Sequence, residues 1–444
     1  MTSAHPSILD PDLETATPSA LRRLENERLR EQIAYNCATS PYYRERLDRA
    51  GVRPEHIRHV EDLALVPFME KTEIAASQAD GTLIGINQCA PLDRIVRIQA
   101  TGGTTGQPMR LALTRRDCDD YAAMGARALW AMGCRPGDVV FECMNYNLYS
   151  GGMSDTTTFE RLGAATIPYG VGHSERLVEM MAAIKGDIAL WATPSYAVRL
   201  AEVAITLGHN PRDIGLRKGF FSGEAGMQVP GFRDRIEALW GLRAQDQYGT
   251  GELGLHSGEC EARSGLHYGG LGSAVIELID PDTGAVLPLD DGRQGEAVYT
   301  SIWREASPLM RMRSHDIFEI FTEPCRCGRT SFRLNVLGRS DDMFIVKGVN
   351  IFPQSIQAVI LKLGDRVTGE YQVVLDRPPP IDYPVPVRVE VAAGVPDSQH
   401  PLLSTEIAHR LQQALNFTPA IRLEAVGTFA TGLKVKRVVR TYRQ

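Results

Sequence analysis

Apolar positions along the chain switch between two periods, and the switching predicts most of the elements. Leu21, Leu24, Leu29 and Ile33 recur at helical spacing after Pro18-Ser19, which read as the start and cap of a first helix. Beyond about residue 85, short β-rich runs alternate with longer amphipathic ones. DVVFECM (138–144), ATIPY (165–169), IALWAT (188–193) and AVIELID (274–280) read as strands. The stretches 117–132, 174–185 and 195–207 between them have helical periodicity and few β-branched residues. Such alternation predicts an α/β fold with mostly parallel sheets. At 255–272 the pattern breaks: Gly258, Gly265, Gly269, Gly270 and Gly272 predict a loop or irregular hairpin. Near the end, YQVVLD (371–376) and VRVEVA (387–392) flank PPPIDYPVP, and a helix is expected over 404–416 before a last strand. That succession predicts a small α+β domain after about residue 340.

Composition narrows the class without naming a chemistry. A chain of 444 residues, 43% hydrophobic and 23% charged, has two or three domains' worth of core. A formal charge of −6 argues against a general nucleic-acid binder, which normally carries a basic surplus. No apolar run approaches the roughly 18 residues needed to span a bilayer. The opening MTSAHPSILDPDLET lacks the basic start and apolar stretch of a secretory signal. Eight cysteines in this length do not make a disulfide scaffold, so a reducing cytoplasm is the expected setting.

Candidate chemistry begins at Thr101-Gly-Gly-Thr-Thr-Gly-Gln-Pro108, directly after the strand-like RIVRIQA. Glycines let backbone N–H groups approach a phosphate, and threonine hydroxyls add donors. It is not a Walker A loop, because the lysine of that motif is missing and Gln107 stands nearest its position. A second glycine motif, Gly249-Thr-Gly251-Glu-Leu-Gly254, matches GxGxxG, with Glu277 at a suitable distance for a ribose carboxylate. A dinucleotide reading fails here: LRAQDQY before it reads as a poor buried strand, and no helix follows to receive a pyrophosphate. What the motif leaves is Tyr248, suited to stacking on a base, and Glu252, a carboxylate for Mg²⁺. Arg313-Ser-His-Asp316, Gly338-Arg-Ser-Asp-Asp342 and Lys347-Gly-Val-Asn350 add carboxylates and cations suited to ribose and phosphate, although each alone reads as a solvated turn. Cys260, Cys325 and Cys327 with His267 make a closed tetrahedral set for structural zinc, with His256 as the other imidazole that fits; the other five cysteines fall in packing patterns.

In this order the pieces resemble the adenylate-forming superfamily, and within it the phenylacetate–CoA ligase family. TGGTTGQP is similar to the superfamily's phosphate loop, YGTGE to its Tyr-Gly-x-[Ser/Thr]-Glu element with Gly251 in place of the hydroxyl residue, and RSHD to its ribose-binding Asp motif. LGRSDDMFIVKGVNIFP is very close to the family's hinge and following loop; SPYYRERLDRAGV and FSGEAG also fit. The resemblance runs from about residue 10 to the end. It implies a large N-terminal adenylate-forming domain of mixed sheets and helices (1–340) and a small mobile α+β C-terminal domain (341–444). Thr101, Gly102, Gly103, Thr104, Thr105 and Gly106 would hold the β- and γ-phosphates of ATP. Glu224, Asp246 and Tyr248 would surround adenine, Gly249 and Thr250 would belong to the cofactor site, Asp316 would hold the ribose, and Glu252 would hold Mg²⁺. Arg339 would support the nucleotide, Asp341 would be the hinge, and Lys347 and Gly348 would lie on the loop presented after the hinge turns. Lys434 would be the catalytic lysine, with Lys436 its near neighbour; the Cys₃His set matches a zinc site of the family.

The implied activity is ATP-dependent conversion of a small aromatic acid to an acyl-adenylate, with pyrophosphate released, and then transfer to the thiol of coenzyme A. The acyl pocket is expected around 144–152 and 221–226, with Tyr146 and Tyr149 for stacking and Gly151, Gly152 and Gly223 for room. The two tyrosines and Asn145 hint at a hydroxyl- or amino-substituted ring. A second reading keeps adenylation but passes the group to a carrier protein, an amine or another nucleophile, including diazotisation-type steps; Gly251 and Gly269-Gly270 keep it open. A non-catalytic nucleotide-binding module would need Glu252 or Lys434 to be missing, and neither is. The resemblance further implies a homodimer, with no nucleic-acid or membrane partner.

Overall fold

The computed structural model describes residues 7–79, 81–101, 108–229, 231–346, 349–378, 380–381, 383–429 and 437–442. The chain forms two compact units: the larger runs to Gln228 and takes in Arg233–Ser314 and Phe318–Val336, and the smaller comprises Val229–Phe232, His315–Ile317 and the chain from Leu337 on. Strands of the first unit are β1 (Ile95–Ala100), β2 (Arg110–Thr114), β3 (Val139–Glu142), β4 (Ala165–Pro168), β5 (Ile188–Ala192), β6 (Leu216–Phe221) and β7 (Arg243–Thr250). They continue with β8 (Gly254–Glu259), β9 (Leu266–Tyr268), β10 (Ala274–Ile279), β11 (Val286–Leu287) and β12 (Gln294–Ser301); β13 (Met312–Phe321) and β14 (Arg333–Arg339) run on into residues of the second.

Twelve of these strands make one sheet in the order β11-β10-β12-β13-β14-β9-β8-β7-β6-β5-β3-β4. Its β4-β3-β5-β6-β7 half is parallel. Helices Ser150–Leu162, Ser174–Ala183, Pro194–Thr206 and Phe232–Trp240 are the crossovers between those strands, as the alternating pattern requires. The expectation of mostly parallel sheets holds for this half alone, because β7-β8, β8-β9, β9-β14, β10-β11 and β10-β12 pair antiparallel. Short turns join β7 to β8 and β10 to β11, and only antiparallel strands can be joined so briefly.

Three local expectations are corrected by packing. Thr17, and not Pro18-Ser19, caps the helix Pro18–Thr39: its side chain accepts from Ala20 N at 3.3 Å. Pro18 occupies the first helical position, where a missing N–H costs nothing, so the residue before it does the capping. LRAQDQY is no poor strand; it lies in β7, with Ala244–Gln247 buried between β6 and β8. Its polar side chains are tolerated because they find partners, as when Gln245 accepts from Arg263 at 3.2 Å and Asp246 from Gln228 at 3.2 Å. The glycine-rich stretch likewise holds two buried strands, β8 and β9. A Cβ at Gly258 would stand 2.6 Å from Ala128 O, so that glycine lets helix Arg115–Ala131 press onto the sheet.

β1 and β2 form a separate antiparallel pair on either side of the residues at 101–109. In the second unit, β15 (Phe344–Val346) and β16 (Val349–Ile351) pair antiparallel, and β17 (Val367–Leu375), β18 (Val385–Val391), β19 (Pro419–Glu424) and β20 (Val438–Arg440) form a sheet in the order β19-β18-β17-β20. Helices Pro353–Leu361 and His400–Leu415 close its core, where Ile356, Tyr371, Val387, Ile407 and Leu411 are fully buried. Among the described residues, no helix is long and apolar enough to cross a membrane.

Candidate active site

The first cluster forms where β1 ends. Ala100 N–H donates to Leu148 O at 2.7 Å and Thr101 N–H to Met109 O at 2.9 Å, so the segment leading to Tyr149 lies beside the start of the glycine-rich loop. Gly102, Gly103, Thr104, Thr105, Gly106 and Gln107 lie outside the described residues. Gly251 packs directly on Thr101: a Cβ there would meet Thr101 Cα at 2.9 Å. The hydroxyl residue that the family element carries has no room here, so Gly251 has a packing reason. Gly269 and Gly270 have theirs, with His256 O at 3.2 Å and the Tyr268 hydroxyl at 2.3 Å from their would-be Cβ atoms.

Glu252 follows Gly251 and is only 2% exposed. The Lys71 ammonium sits against its Oε1 at 2.5 Å. Burial alone would raise the Glu252 carboxyl, but Lys71 outweighs it and holds the group below its ordinary value. Tyr121 fixes the backbone here by donating its hydroxyl to Glu252 O, and Arg304 donates to the Tyr121 oxygen at 2.6 Å. A carboxylate held below its ordinary value close to the end of β1 has the chemistry to take a hard divalent cation.

Tyr248 is half-buried on β7, its hydroxyl 3.0 Å from that of Tyr299, its ring edge-on to His256 and Phe318 at 5.2 and 5.3 Å. Asp246 on the same strand is buried; burial, and then Glu259, push its carboxyl up to about 7. Gly249 lies at the end of β7, 2.6 Å from Gly254 O by its would-be Cβ, and the Thr250 hydroxyl accepts from Leu253 N at 3.2 Å. Glu224 is exposed and turned to the start of helix Pro194–Thr206, where its carboxylate accepts from Ser195 N and Oγ at 3.2 and 2.6 Å.

Tyr146, Gly151, Gly152 and Gly223 are brought together by Met144 and the start of helix Ser150–Leu162. A Cβ at Gly152 would lie 2.7 Å from the Tyr146 ring, and one at Gly151 3.6 Å from Met144 Cβ. On the other side, Gly223 would meet Thr193 Cγ2 at 3.5 Å and Met144 Cε at 4.0 Å. Tyr149 is half-buried, and its backbone pairs with Ala100. Two buried carboxyls border the cluster, Glu142 at the end of β3 and Asp155 on the helix.

In the second unit, Arg339 joins two predicted residues. It donates to Asp316 Oδ1 at 3.1 Å, and to both oxygens of Asp341 at 2.9 and 2.8 Å. Flanking charge pushes the Arg339 guanidinium above its ordinary value although burial opposes this. Lys347, Gly348, Lys434 and Lys436 lie outside the described residues.

Cys260, His267, Cys325 and Cys327 converge, with all four donor atoms within 4.8 Å of one another, and no other such group occurs among the described residues. Cys260 Sγ is 3.6 Å from Cys325 Sγ, and Cys327 Sγ is 3.3 Å from His267 Nε2. Zinc–sulfur bonds of about 2.3 Å at tetrahedral angles set sulfurs about 3.8 Å apart, so the donors fit that ion. The contact with Cys260, then His267, draws the Cys327 thiol far below its ordinary value. His267 Nδ1 faces Ser331 Oγ at 3.4 Å, leaving Nε2 for the metal. His256 is elsewhere, buried among Tyr248, Tyr268 and Tyr299; burial depresses it to about 3 and keeps it neutral.

Three charged residues at these sites escape sequence reasoning. Nothing local marks Lys71, since its partner is 181 positions away (from 71 to 252). Glu142 does carry a signal, as the one acidic residue inside the apolar run VVFECM, and Asp155 stands among small residues on the buried face of its helix.

Residues 348–441 match the family described as AMP-binding enzyme C-terminal domain. The chain is 35% identical over 390 residues to a phenylacetate–coenzyme A ligase of Thermus thermophilus, covering 87% of this chain and 84% of that one. It is 33% identical over 433 residues to the phenylacetate–coenzyme A ligase of Pseudomonas putida, covering 95% and 94%. Among solved structures, 2-hydroxyisobutyryl-CoA ligase in the postadenylation state with R3-HIB-AMP is similar with a TM-score of 0.89 at 32% identity, covering 99% of this chain and 94% of that one.

Proposed function

The chain belongs to the phenylacetate–CoA ligase family of adenylate-forming enzymes, and on that premise we propose that it activates an aromatic carboxylic acid with ATP and transfers the acyl group to coenzyme A. The observation that carries the reading is the convergence of Thr101, Gly251, Glu252 and Lys71 beside the segment that leads into the glycine-lined acyl cluster. In the first half-reaction a carboxylate oxygen of the acid attacks the α-phosphorus of ATP, and pyrophosphate leaves with the bond's electron pair. Anion then meets anion, so fixed positive charge is the main requirement. Lys71 supplies one charge and Lys434 of the C-terminal unit a second, while Glu252 would hold a magnesium ion that screens the phosphates. In the second half-reaction the thiolate of coenzyme A attacks the acyl carbon, and AMP leaves. Asp341 would serve as the hinge between the two, exchanging Lys434 for the 347–350 loop, with Arg339 and Asp316 on the nucleotide.

The same reading gives the Cys260–His267–Cys325–Cys327 group to structural zinc, makes the chain a homodimer and places it in the cytoplasm. The test is pyrophosphate release measured across a panel of aromatic acids, with and without coenzyme A, alongside mass detection of the acyl thioester. Acid-dependent pyrophosphate, with AMP and thioester formed in equal amounts, is expected. Pyrophosphate release without any thioester would instead place the acceptor outside coenzyme A, and release with no acid at all would remove adenylation.

A further inference from the structure

We propose that Glu277 is a positioning residue for adenylate formation: through Arg311 it fixes the segment that holds Lys71 against Glu252. The inference rests on the reading that Lys71 serves the triphosphate, and it says what puts the ammonium there. Lys71 opens the short helix Lys71–Ser77, where the helix dipole disfavours a cation, and Glu70 before it makes no side-chain cap. Local structure therefore gives no reason for a lysine at this place.

The reason lies in a distant stretch, Met310–Arg313. Arg311 Nη1 donates to Val66 O at 2.8 Å and to Ala64 O at 3.4 Å, and its guanidinium lies over the Phe68 ring at 4.3 Å. The backbone takes up the next residue. Met69 N–H donates to Arg311 O at 2.9 Å and Arg313 N–H to Met69 O at 3.0 Å, a parallel bridge between Met69 and Met312, both fully buried. Lys71 follows two residues on, and its ammonium meets Glu252 at 2.5 Å. Arg311 itself is strained: its φ is +53°, in the left-handed region that a bulky residue occupies only where the surroundings over-determine it. Thr300 Oγ1 accepts from its N–H at 3.0 Å, and Glu277 holds the guanidinium from Nε at 3.1 Å and Nη2 at 3.0 Å. Both side chains of this pair are buried. Such a pair is often no more stabilising than apolar residues of the same volume, but its two-pronged geometry fixes the guanidinium. Glu277, which spacing alone offers to a ribose, is occupied by Arg311 instead.

The test uses the full chain, the most active acid of the aromatic panel, and the variants Glu277→Gln, Lys71→Met and the two combined. In acid-dependent pyrophosphate exchange, Glu277→Gln should lower kcat/KM for ATP at least about tenfold in the wild type, but less than about twofold once Lys71 is methionine. Thioester formation from preformed acyl-adenylate should change by less than about threefold, which a general loss of structure would not spare. Labelling of the ligand-free protein with an amine-directed acylating reagent, read by peptide mass against the exposed Lys185, should rise at Lys71 at least about fivefold in Glu277→Gln. Should that variant not fold, Phe68→Leu, alone and with Lys71→Met, gives the same readings. Lys71→Met at the wild-type rate would remove the Lys71 reading and this one with it. A loss in Lys71→Met that Glu277→Gln does not share, an equal loss from Glu277→Gln with and without Lys71, or unchanged labelling of Lys71 would overturn this one alone.

Discussion

Replacing Glu142 by glutamine should make the ligand-free protein more stable, and more so as the pH rises. Burial, the largest influence, lifts the Glu142 carboxyl from 4.5 to about 8; the contacts with Tyr146 and Met144 N–H offset only part of this. Between those two values the folded chain holds a proton that the unfolded chain has released. Stability is therefore greatest below pH 4.5 and falls as pH rises through 8, at up to about 1.36 kcal/mol for each pH step. By pH 7 the carboxyl costs the fold about 3 kcal/mol, levelling off above pH 8. Glutamine keeps the shape and the Met144 hydrogen bond, and cannot ionise. Thermal unfolding followed by circular dichroism from pH 4 to pH 8.5 should show Tm values that coincide near pH 4. Near neutral pH they should separate by roughly 5 °C in the variant's favour, at about 2 °C per kcal/mol for a chain of this size. Parallel pH profiles for wild type and variant would refute the argument, because they would mean that Glu142 is ionised in the folded state.

Lys71→Met leaves Glu252 buried without its cation, and should lower kcat/KM for ATP in acid-dependent pyrophosphate exchange by about 100-fold; an unchanged value removes Lys71 from the site. Cys325→Ser should reduce zinc, measured by plasma emission, from about one equivalent to under half, and lower Tm by more than about 5 °C. Under about half an equivalent of zinc in the wild type, with an unchanged Tm in the variant, would exclude the metal. Lys434→Ala should slow adenylate formation by about 10³-fold in stopped-flow experiments while changing thioester formation from preformed acyl-adenylate by less than about threefold. Equal loss in both half-reactions would take the lysine out of the first.

Residues close in sequence were legible because their chemistry is local. The period of β3, β5 and the helices on either side announces itself in the order of side chains, and so do the sulfurs of Cys325 and Cys327. The motifs TGGTTGQP, YGTGE and LGRSDD carry the family on their own spacing. β7 was not legible, since QDQ looks polar until Gln228 and Arg263 arrive from distant segments to satisfy it. Nor was the choice between His256 and His267, which turns on the pairing of β8 with β9 and not on distance along the chain.

The sequence by itself determined the fold class, the order of the elements, the nucleotide motifs and the three cysteines of the metal-type cluster, because periodicity and spacing are properties of neighbours. Tertiary structure alone decided what each charge meets. It set Lys71 against Glu252, gave Gly251 its reason in the backbone of Thr101, and buried Glu142 at the end of β3. A charge takes its meaning from the dielectric and the partners around it, and those come from segments that only folding brings together.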